Sequence, residues 1–417
     1  MEYLTVLFLQ MIVFFVGGTN NPQKHFAFLF ALIIYFVYIF LGPLNSFLTD
    51  DYYQFGAYFG EFFGPTLFLY NVAIFSLGVS YFVFFNATRP KLISHYYGWQ
   101  LSKHYYVYLV FFFGCVAYII SRKAGVSEDG SGFSGGFLNY LTFMSDSLIV
   151  AFLILLSEKK LKKWHLILLV VTILFYLILG FRYRIIILLV GVLYHFFIVN
   201  KLSPKSILKW GIYIALTFYI INFISTNRGA FREMDFQNIE FSSDSPYELS
   251  PYQFVMHQTS NHKTDMIVHQ YMEQNNQVEY DFGESMFYHI LVRIIPATFF
   301  EGDVKPSIPQ QEIIRNSSGT TEGYSAGSAV TNVLEYYIAG GITGIIIMMS
   351  FMGSVLGYIS KRTDLNRPRD RVIVMIAIMV LFQEITRGYW PQNFTLLCFL
   401  YLTFFLFYKK KYARSSN

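Results

Sequence analysis

Apolar runs long enough to cross a membrane recur along most of the chain, separated by short polar segments. A run of about 18 or more apolar residues with few charges is the mark of a transmembrane helix. Eleven spans are predicted, at 3–17, 25–43, 62–85, 105–121, 137–157, 164–180, 185–200, 207–225, 337–360, 372–386 and 393–408. Pro43 and Pro65 mark span ends or kinks, because proline removes a backbone donor and crowds the preceding turn. One interval breaks the rhythm. Residues 226–336 hold no span, and a structureless loop of that length is unusual, so this segment is predicted to carry helices of its own. Within it, 251–272 has scattered apolar positions, and 284–300 is amphipathic and suited to lie along a membrane surface. The expected fold is an all-α polytopic membrane protein of about eleven transmembrane helices. It forms one membrane domain over residues 1–417, with 226–336 as a large, partly helical segment.

Composition supports this pattern. The 417 residues are 54% hydrophobic and only 14% charged, with 46 Phe and 33 Tyr, whereas a soluble domain carries about 25% charged residues. Glu2 is the only charge in the first span and no basic n-region precedes it, so that span reads as a retained helix and not a signal peptide. The two cysteines, Cys115 and Cys398, lie in apolar runs and suggest neither a disulfide framework nor a zinc site.

Charge sets the expected orientation. The segments 18–24, 86–104, 158–163, 201–209, 361–371 and 409–417 hold 20 of the 31 basic residues and only 3 of the 26 acids. Basic loops stay cytoplasmic. The C-terminus is therefore expected inside, and the N-terminus and 226–336 outside. The chain shows no internal repeat of the kind that builds inverted-repeat transporters.

Basic residues on the expected outer side run against that bias and become candidates for chemistry. Gly180-Phe-Arg182-Tyr-Arg184 joins two spans almost without a loop. Guanidiniums there are expensive unless they meet water or an anion, and their planar fork matches phosphate oxygens. Snorkelling at helix ends is the structural alternative. Glu384 and Arg387 lie three apart at the next such junction, on one helical face. They suit a capping ion pair or an anion-binding arginine with an orienting or proton-accepting carboxylate. Tyr389 and Trp390 follow, suited to sugar stacking or an interfacial belt. In the long segment, Arg228 and Arg232 are four apart, and Arg293 sits in Leu-Val-Arg-Ile-Ile-Pro. The spacing of His257, His262 and His269 does not match a helical metal pair, so hydrogen-bonded or solvent-facing histidines are expected. Glu61, Asp146 and Glu335, acids in or near spans, suit either function or a hydrogen bond to a neighbouring helix. There is no Walker loop, dinucleotide fingerprint or HExxH, and no cofactor is predicted.

The Gly180–Arg184 junction, the large segment and Arg293-Ile-Ile-Pro296 followed by Lys305-Pro306 carry a resemblance. So do Leu334-Glu-Tyr-Tyr-Ile-Ala-Gly-Gly-Ile-Thr-Gly344 and Thr386-Arg-Gly388. From about residue 164 onward the chain resembles the Wzy-type oligosaccharide repeat-unit polymerases of O-antigen pathways. That resemblance implies a GT-C-like membrane glycosyltransferase of the bacterial cytoplasmic membrane with an outward-facing active site. It implies a donor glycan on undecaprenyl pyrophosphate and a lipid-linked repeat unit as acceptor. A chain-length-regulating co-polymerase is an implied partner, and no nucleic acid is. Arg182, Arg184, Arg228, Arg293 and Arg387 are then expected to bind pyrophosphate. Glu384 is expected to act as base or orienter, with Glu322, Glu335 and His257 as alternatives. An O-antigen ligase and a lipid-linked oligosaccharide flippase are the alternative readings.

Overall fold

The structure is a computed structural model that describes residues 1–54, 56–89, 97–101, 109, 112–116, 119–120, 146–157, 163–178, 182–199, 223, 227, 259–275, 279–295, 299–301, 305–306, 309–317 and 330–412. It is mostly helical. The helices are α1 (Glu2–Thr19), α2 (Phe26–Tyr35), α3 (Gly42–Thr49), α4 (Phe63–Ala87), α5 (Ser147–Ser157), α6 (Lys163–Ile178) and α7 (Arg182–Val199). They continue with α8 (Asn261–Gln274), α9 (His289–Ile294), α10 (Pro309–Ser317), α11 (Asn332–Arg362), α12 (Pro368–Arg387) and α13 (Trp390–Phe407). A π-helical turn, Phe36–Leu41, joins α2 to α3.

Among the described residues, four helical stretches are long and apolar enough to cross a membrane: Glu2–Thr19, Phe26–Thr49, Gly60–Ala87 and Asn332–Arg362. They coincide with predicted spans. Shorter or less apolar helices stand at the predicted spans 137–157, 164–180, 185–200, 372–386 and 393–408. Most of the predicted spans 105–121 and 207–225 lies outside the described residues. The helices expected within 226–336 are α8, α9 and α10.

The residues group into two compact units. One comprises Met1–Lys91, Ser250–Thr363 and Val380–Thr395; the other comprises Leu92–Leu249, Asp364–Met379 and Leu396–Asn417. In the first unit, α4 and α11 pack most closely. Gly353 and Gly357, four apart on α11, make this possible: a Cβ at either would overlap the backbone of α4, at Leu77 and Tyr81. Small residues at such spacing let two membrane helices approach until their backbones touch.

Helix α11 is broken at Gly340 and Gly341, the latter at φ 62, a left-handed value that a side chain resists. Before the break, Asn332 to Ala339 are all buried. Beyond it one side faces outward, with Ile346, Ile347 and Phe351 exposed. A break leaves carbonyls without helical partners, and at depth each must find another donor. The backbone N–H of Asp281 supplies one, donating to Ile338 O at 3.2 Å. The Tyr280 ring closes over Gly341, where a Cβ would lie 3.1 Å from it.

Residues 284–294 form a π turn, Glu284–Tyr288, continuing into α9. His289 and Val292 are buried, whereas Phe287, Leu291 and Ile294 are exposed. The element is thus two-faced, as its sequence predicts.

In the second unit, α5, α6 and α7 pack against one another. Arg371, near the start of α12, donates to the carbonyl of Ser157 at the end of α5 at 2.5 Å. A short antiparallel pair, β1 (Tyr97–Leu101) with β2 (Tyr408–Tyr412), closes this unit.

Candidate functional site

The first unit contains a buried polar cluster around the first two turns of α11, where Asn332, Glu335 and Tyr336 are fully buried. Polar groups at such depth must be hydrogen-bonded or carry a heavy penalty, and these meet partners from α2, α12 and α13. Asn332 Nδ2 donates to the Tyr35 hydroxyl at 2.8 Å. Tyr336 donates to Glu384 Oε1 at 2.6 Å. Asn393 Nδ2 donates both to Glu384 Oε2 at 2.6 Å and to the carbonyl of Gly388 at 2.7 Å. Glu335 Oε1 accepts from the backbone N–H of Trp390 at 2.6 Å. Glu335 therefore caps α13 from another helix, placing a carboxyl oxygen where the helix presents free amides.

These bonds converge on the turn between α12 and α13. Gly388 and Tyr389 both have left-handed backbone, at φ 58 and φ 66. For glycine this is free. For tyrosine it costs about 1–2 kcal/mol. A Cβ at Gly388 would sit 3.2 Å from Val330 O and 3.3 Å from Glu335 Oε2. The turn can be this tight only because position 388 is glycine.

The turn meets Arg293 of α9, whose guanidinium carbon lies 5.7 Å from the centre of the Tyr389 ring. Burial raises the Tyr389 phenol's pKa above its ordinary value, and the nearby Arg293 charge partly offsets the rise. Lys305 joins the same place. Its Nζ donates to the carbonyls of Val292 and Arg293, at 2.9 and 3.1 Å, filling acceptors that the end of α9 leaves open. Partial burial and the neighbouring Arg293 charge lower the Lys305 pKa. Arg387, two residues before Tyr389, is exposed, and its charge also reaches Tyr38 in the π turn after α2. The 387–390 turn thus carries one cation and rests against a second, with a third alongside.

A second buried polar group ties α8 into the same unit. Asp265 accepts from the N–H of Thr331 at 2.8 Å, the Thr331 hydroxyl at 2.5 Å and the Tyr70 hydroxyl at 2.7 Å. Burial nevertheless pushes its carboxyl up to about 6. His262 Nδ1 lies 2.8 Å from the Thr259 carbonyl, which can only accept, so Nδ1 carries the proton. His262 Nε2 then accepts from Ser46, 2.9 Å away. His269 meets Thr66 at 2.9 Å. Burial pushes both imidazoles down to about 4. Both are neutral hydrogen-bonding groups.

The predicted site residues therefore separate. Arg293, Arg387 and Glu384 lie in the first unit, around one turn. Arg184 does something else. In the second unit it is buried against Asp146, with Nε on Oδ1 and Nη2 on Oδ2 at 3.3 Å. Two of its N–H groups thus meet a buried carboxylate. Arg182 opens α7, and its side chain lies outside the described residues, as do Arg228, His257 and Glu322. Glu61 is exposed. Asp265, Asn393 and the structural role of Tyr389 are not apparent from sequence. The Asp146–Arg184 pair left a signal: an acid and an arginine in neighbouring apolar runs each need a partner, and each can be the other's.

The architecture defines a polytopic helical membrane protein with a cationic turn above a buried carboxylate cluster. The chain belongs to the O-antigen polysaccharide polymerase Wzy family, whose model matches residues 2–412. It is accordingly an integral membrane enzyme of O-antigen polysaccharide biosynthesis, in a family that polymerises lipid-linked repeat units. Comparison with curated proteins and with solved structures finds no match.

Proposed function

We propose that this enzyme extends O-antigen by moving the growing glycan from undecaprenyl pyrophosphate onto a lipid-linked repeat unit, on the outer face of the cytoplasmic membrane. An acceptor hydroxyl attacks the donor's anomeric carbon and gives its proton to a general base. The bond from that carbon to the pyrophosphate oxygen breaks, and the electron pair leaves with the lipid pyrophosphate. Negative charge builds on that leaving group, so cations fixed beforehand lower the barrier.

The observation that carries this reading is that Arg293 and Lys305 meet beside the α12–α13 turn, which Arg387 opens. Like charges held close, as Arg293 and Lys305 are, favour an anion beside them. Arg293 and Arg387 are assigned to the pyrophosphate. Glu384 is assigned as an orienter and not as the base: both its oxygens accept hydrogen bonds, and through Asn393 it holds the Gly388 carbonyl. The exposed apolar face of 284–294 is assigned to the membrane surface. That would set Arg293 at the depth of a lipid headgroup.

The test is polymerisation by purified protein from lipid-pyrophosphate repeat units in EDTA, without nucleotide-sugar. A ladder of products is expected. A ladder that needs a divalent ion would overturn the arginine assignment. Transfer of the glycan to a different lipid acceptor, with no ladder, would replace polymerase by ligase. Impermeant thiol labelling of single-cysteine variants in intact cells tests the side: labelling is expected at 240–280, and labelling at 158–163 instead would reverse the topology.

A further inference from the structure

We propose that Tyr389 is a positioning residue that fixes the Arg293 guanidinium for the lipid pyrophosphate, and that the fold keeps a strained backbone to do so. This rests on the reading of Arg293 as a pyrophosphate ligand. Two consecutive residues in the turn are left-handed, and glycine occupies only the first. Glycine or asparagine at 389 would relieve the second, since a bulky aromatic is a poor occupant of that region. Strain of this kind persists where the surroundings over-determine the conformation. Here they do, because Trp390 N–H binds Glu335 at 2.6 Å and Asn393 binds the Gly388 carbonyl at 2.7 Å.

The left-handed conformation delivers the ring to Arg293, at 5.7 Å from its guanidinium carbon. Lys305 fixes the other end of that residue by binding its carbonyl at 3.1 Å. Arg293 is thus clamped at backbone and head. A ring at this distance attracts the guanidinium through its quadrupole and restrains where it sits.

The experiment compares Tyr389→Gly and Tyr389→Phe in the full-length protein, with lipid-linked repeat units as substrate. Gly keeps the turn and removes the ring; Phe keeps the ring and removes the hydroxyl. Tyr389→Gly should lose about tenfold or more in kcat/KM, carried by a raised KM for the lipid-linked donor. Its thermal unfolding midpoint should fall, because the lost ring leaves a cavity that relief of the strain only partly offsets, so kcat/KM is compared at matched folded protein. Tyr389→Phe should stay within about threefold of wild type. In an Arg293→Lys background, Tyr389→Gly should cost less than about threefold more, since both changes act through one guanidinium. A wild-type KM in Tyr389→Gly overturns the proposal. So does a loss that multiplies in full with Arg293→Lys, or a fall in kcat with KM unchanged. Arg293→Ala with normal polymer would remove the pyrophosphate reading itself. Inactive Arg293→Ala beside normal Tyr389→Gly would remove only the positioning role.

Discussion

Arg184 and Arg293 are both helical arginines in a membrane protein, and the structure treats them in opposite ways. Arg184 meets the carboxylate of Asp146, so each charge cancels the other. Arg293 lies over the ring of Tyr389, 5.7 Å from its centre, and its backbone carbonyl accepts from Lys305. In a low dielectric this distinction separates architecture from chemistry. A pair such as Asp146–Arg184 holds two helices, α7 and the start of α5, at a fixed register. A stacked arginine is useful to an anion that comes and goes.

The largest expected effect tests the architectural half. Removing one partner of a buried pair strands the other charge, at about 3–5 kcal/mol. Arg184→Ala should therefore lower the amount of folded protein, measured as the monodisperse peak of a fluorescent fusion in detergent. Replacing both partners, as Asp146→Leu with Arg184→Met, should restore abundance and polymer together, because the pair is neutral as a unit. Full abundance without polymer in that double variant would return Arg184 to the catalytic side of the comparison.

A third class of buried polar group sharpens the contrast. His262 and His269 escape the penalty by staying neutral. In the unfolded chain they take up protons near pH 6.5; in the fold they resist down to about 4. Their depressed folded pKa makes stability fall as pH drops through this window, by roughly 3 kcal/mol for each histidine. Asp265 works in the opposite sense. Its folded pKa of about 6 stands above the ordinary 3.8, so its share is present below pH 3.8 and lost as pH rises through 6, again roughly 3 kcal/mol. Two histidines outweigh one aspartate. The unfolding midpoint should rise from pH 4.5 to 6.5, and His262→Gln with His269→Gln should reverse the slope. A rise that survives in the double variant would remove the two histidines as its cause.

The chemical half is tested next. Arg293→Ala and Arg387→Ala should each reduce polymer about a hundredfold, or about 2.7 kcal/mol of transition-state stabilisation, at normal abundance. Lysine at either position should rescue only partly, because an ammonium offers no planar fork. The signature is the reverse of Arg184→Ala, namely intact protein and lost product. If Arg293→Ala instead lost abundance, both arginines would belong to the architecture and the contrast would fail.

How much of this was readable beforehand follows from the range of each interaction. Four membrane-length helices were, at Glu2–Thr19, Phe26–Thr49, Gly60–Ala87 and Asn332–Arg362, because hydropathy is local and the bilayer sets the length of a crossing. The two-faced character of 284–294 was, because it is a period within one helix. Arg293, Arg387 and Glu384 could be picked out singly as charges in costly places. Their partners could not. Tyr336 to Glu384, Asp265 to Thr331 and Asp146 to Arg184 each join segments far apart in the chain, and no periodicity records such a meeting. Tyr389 was hidden for another reason: tyrosine is not a left-handed residue by propensity, and its conformation is imposed by Gly388 before it and by Glu335 beneath it. The Gly340-Gly341 doublet stood in plain view, yet the break it permits shows only once Tyr280 and Asp281 are seen against it.

The smallest expected effect tests whether the cationic turn depends on its backbone. Gly388→Ala places a methyl group 3.2 Å from Val330 O and 3.3 Å from Glu335 Oε2, in a residue at φ 58. The left-handed backbone costs alanine about 1 kcal/mol. The crowding adds to this, since the carbonyl belongs to the backbone and cannot swing aside. Any relaxation must lengthen the hydrogen bond from Asn393 to the Gly388 carbonyl, or the one from Trp390 to Glu335. Either change tilts Tyr389 and, through it, Arg293. Gly340→Ala is the matched control, because φ there is −175° and no atom lies within 4 Å of its Cβ position. Polymer output from lipid-linked repeats, at matched protein, should fall several-fold for Gly388→Ala and stay near wild type for Gly340→Ala. Equal output from the two variants would mean that Arg293 finds its place without the turn, and the contrast with Arg184 would lose its basis in the Tyr389 ring.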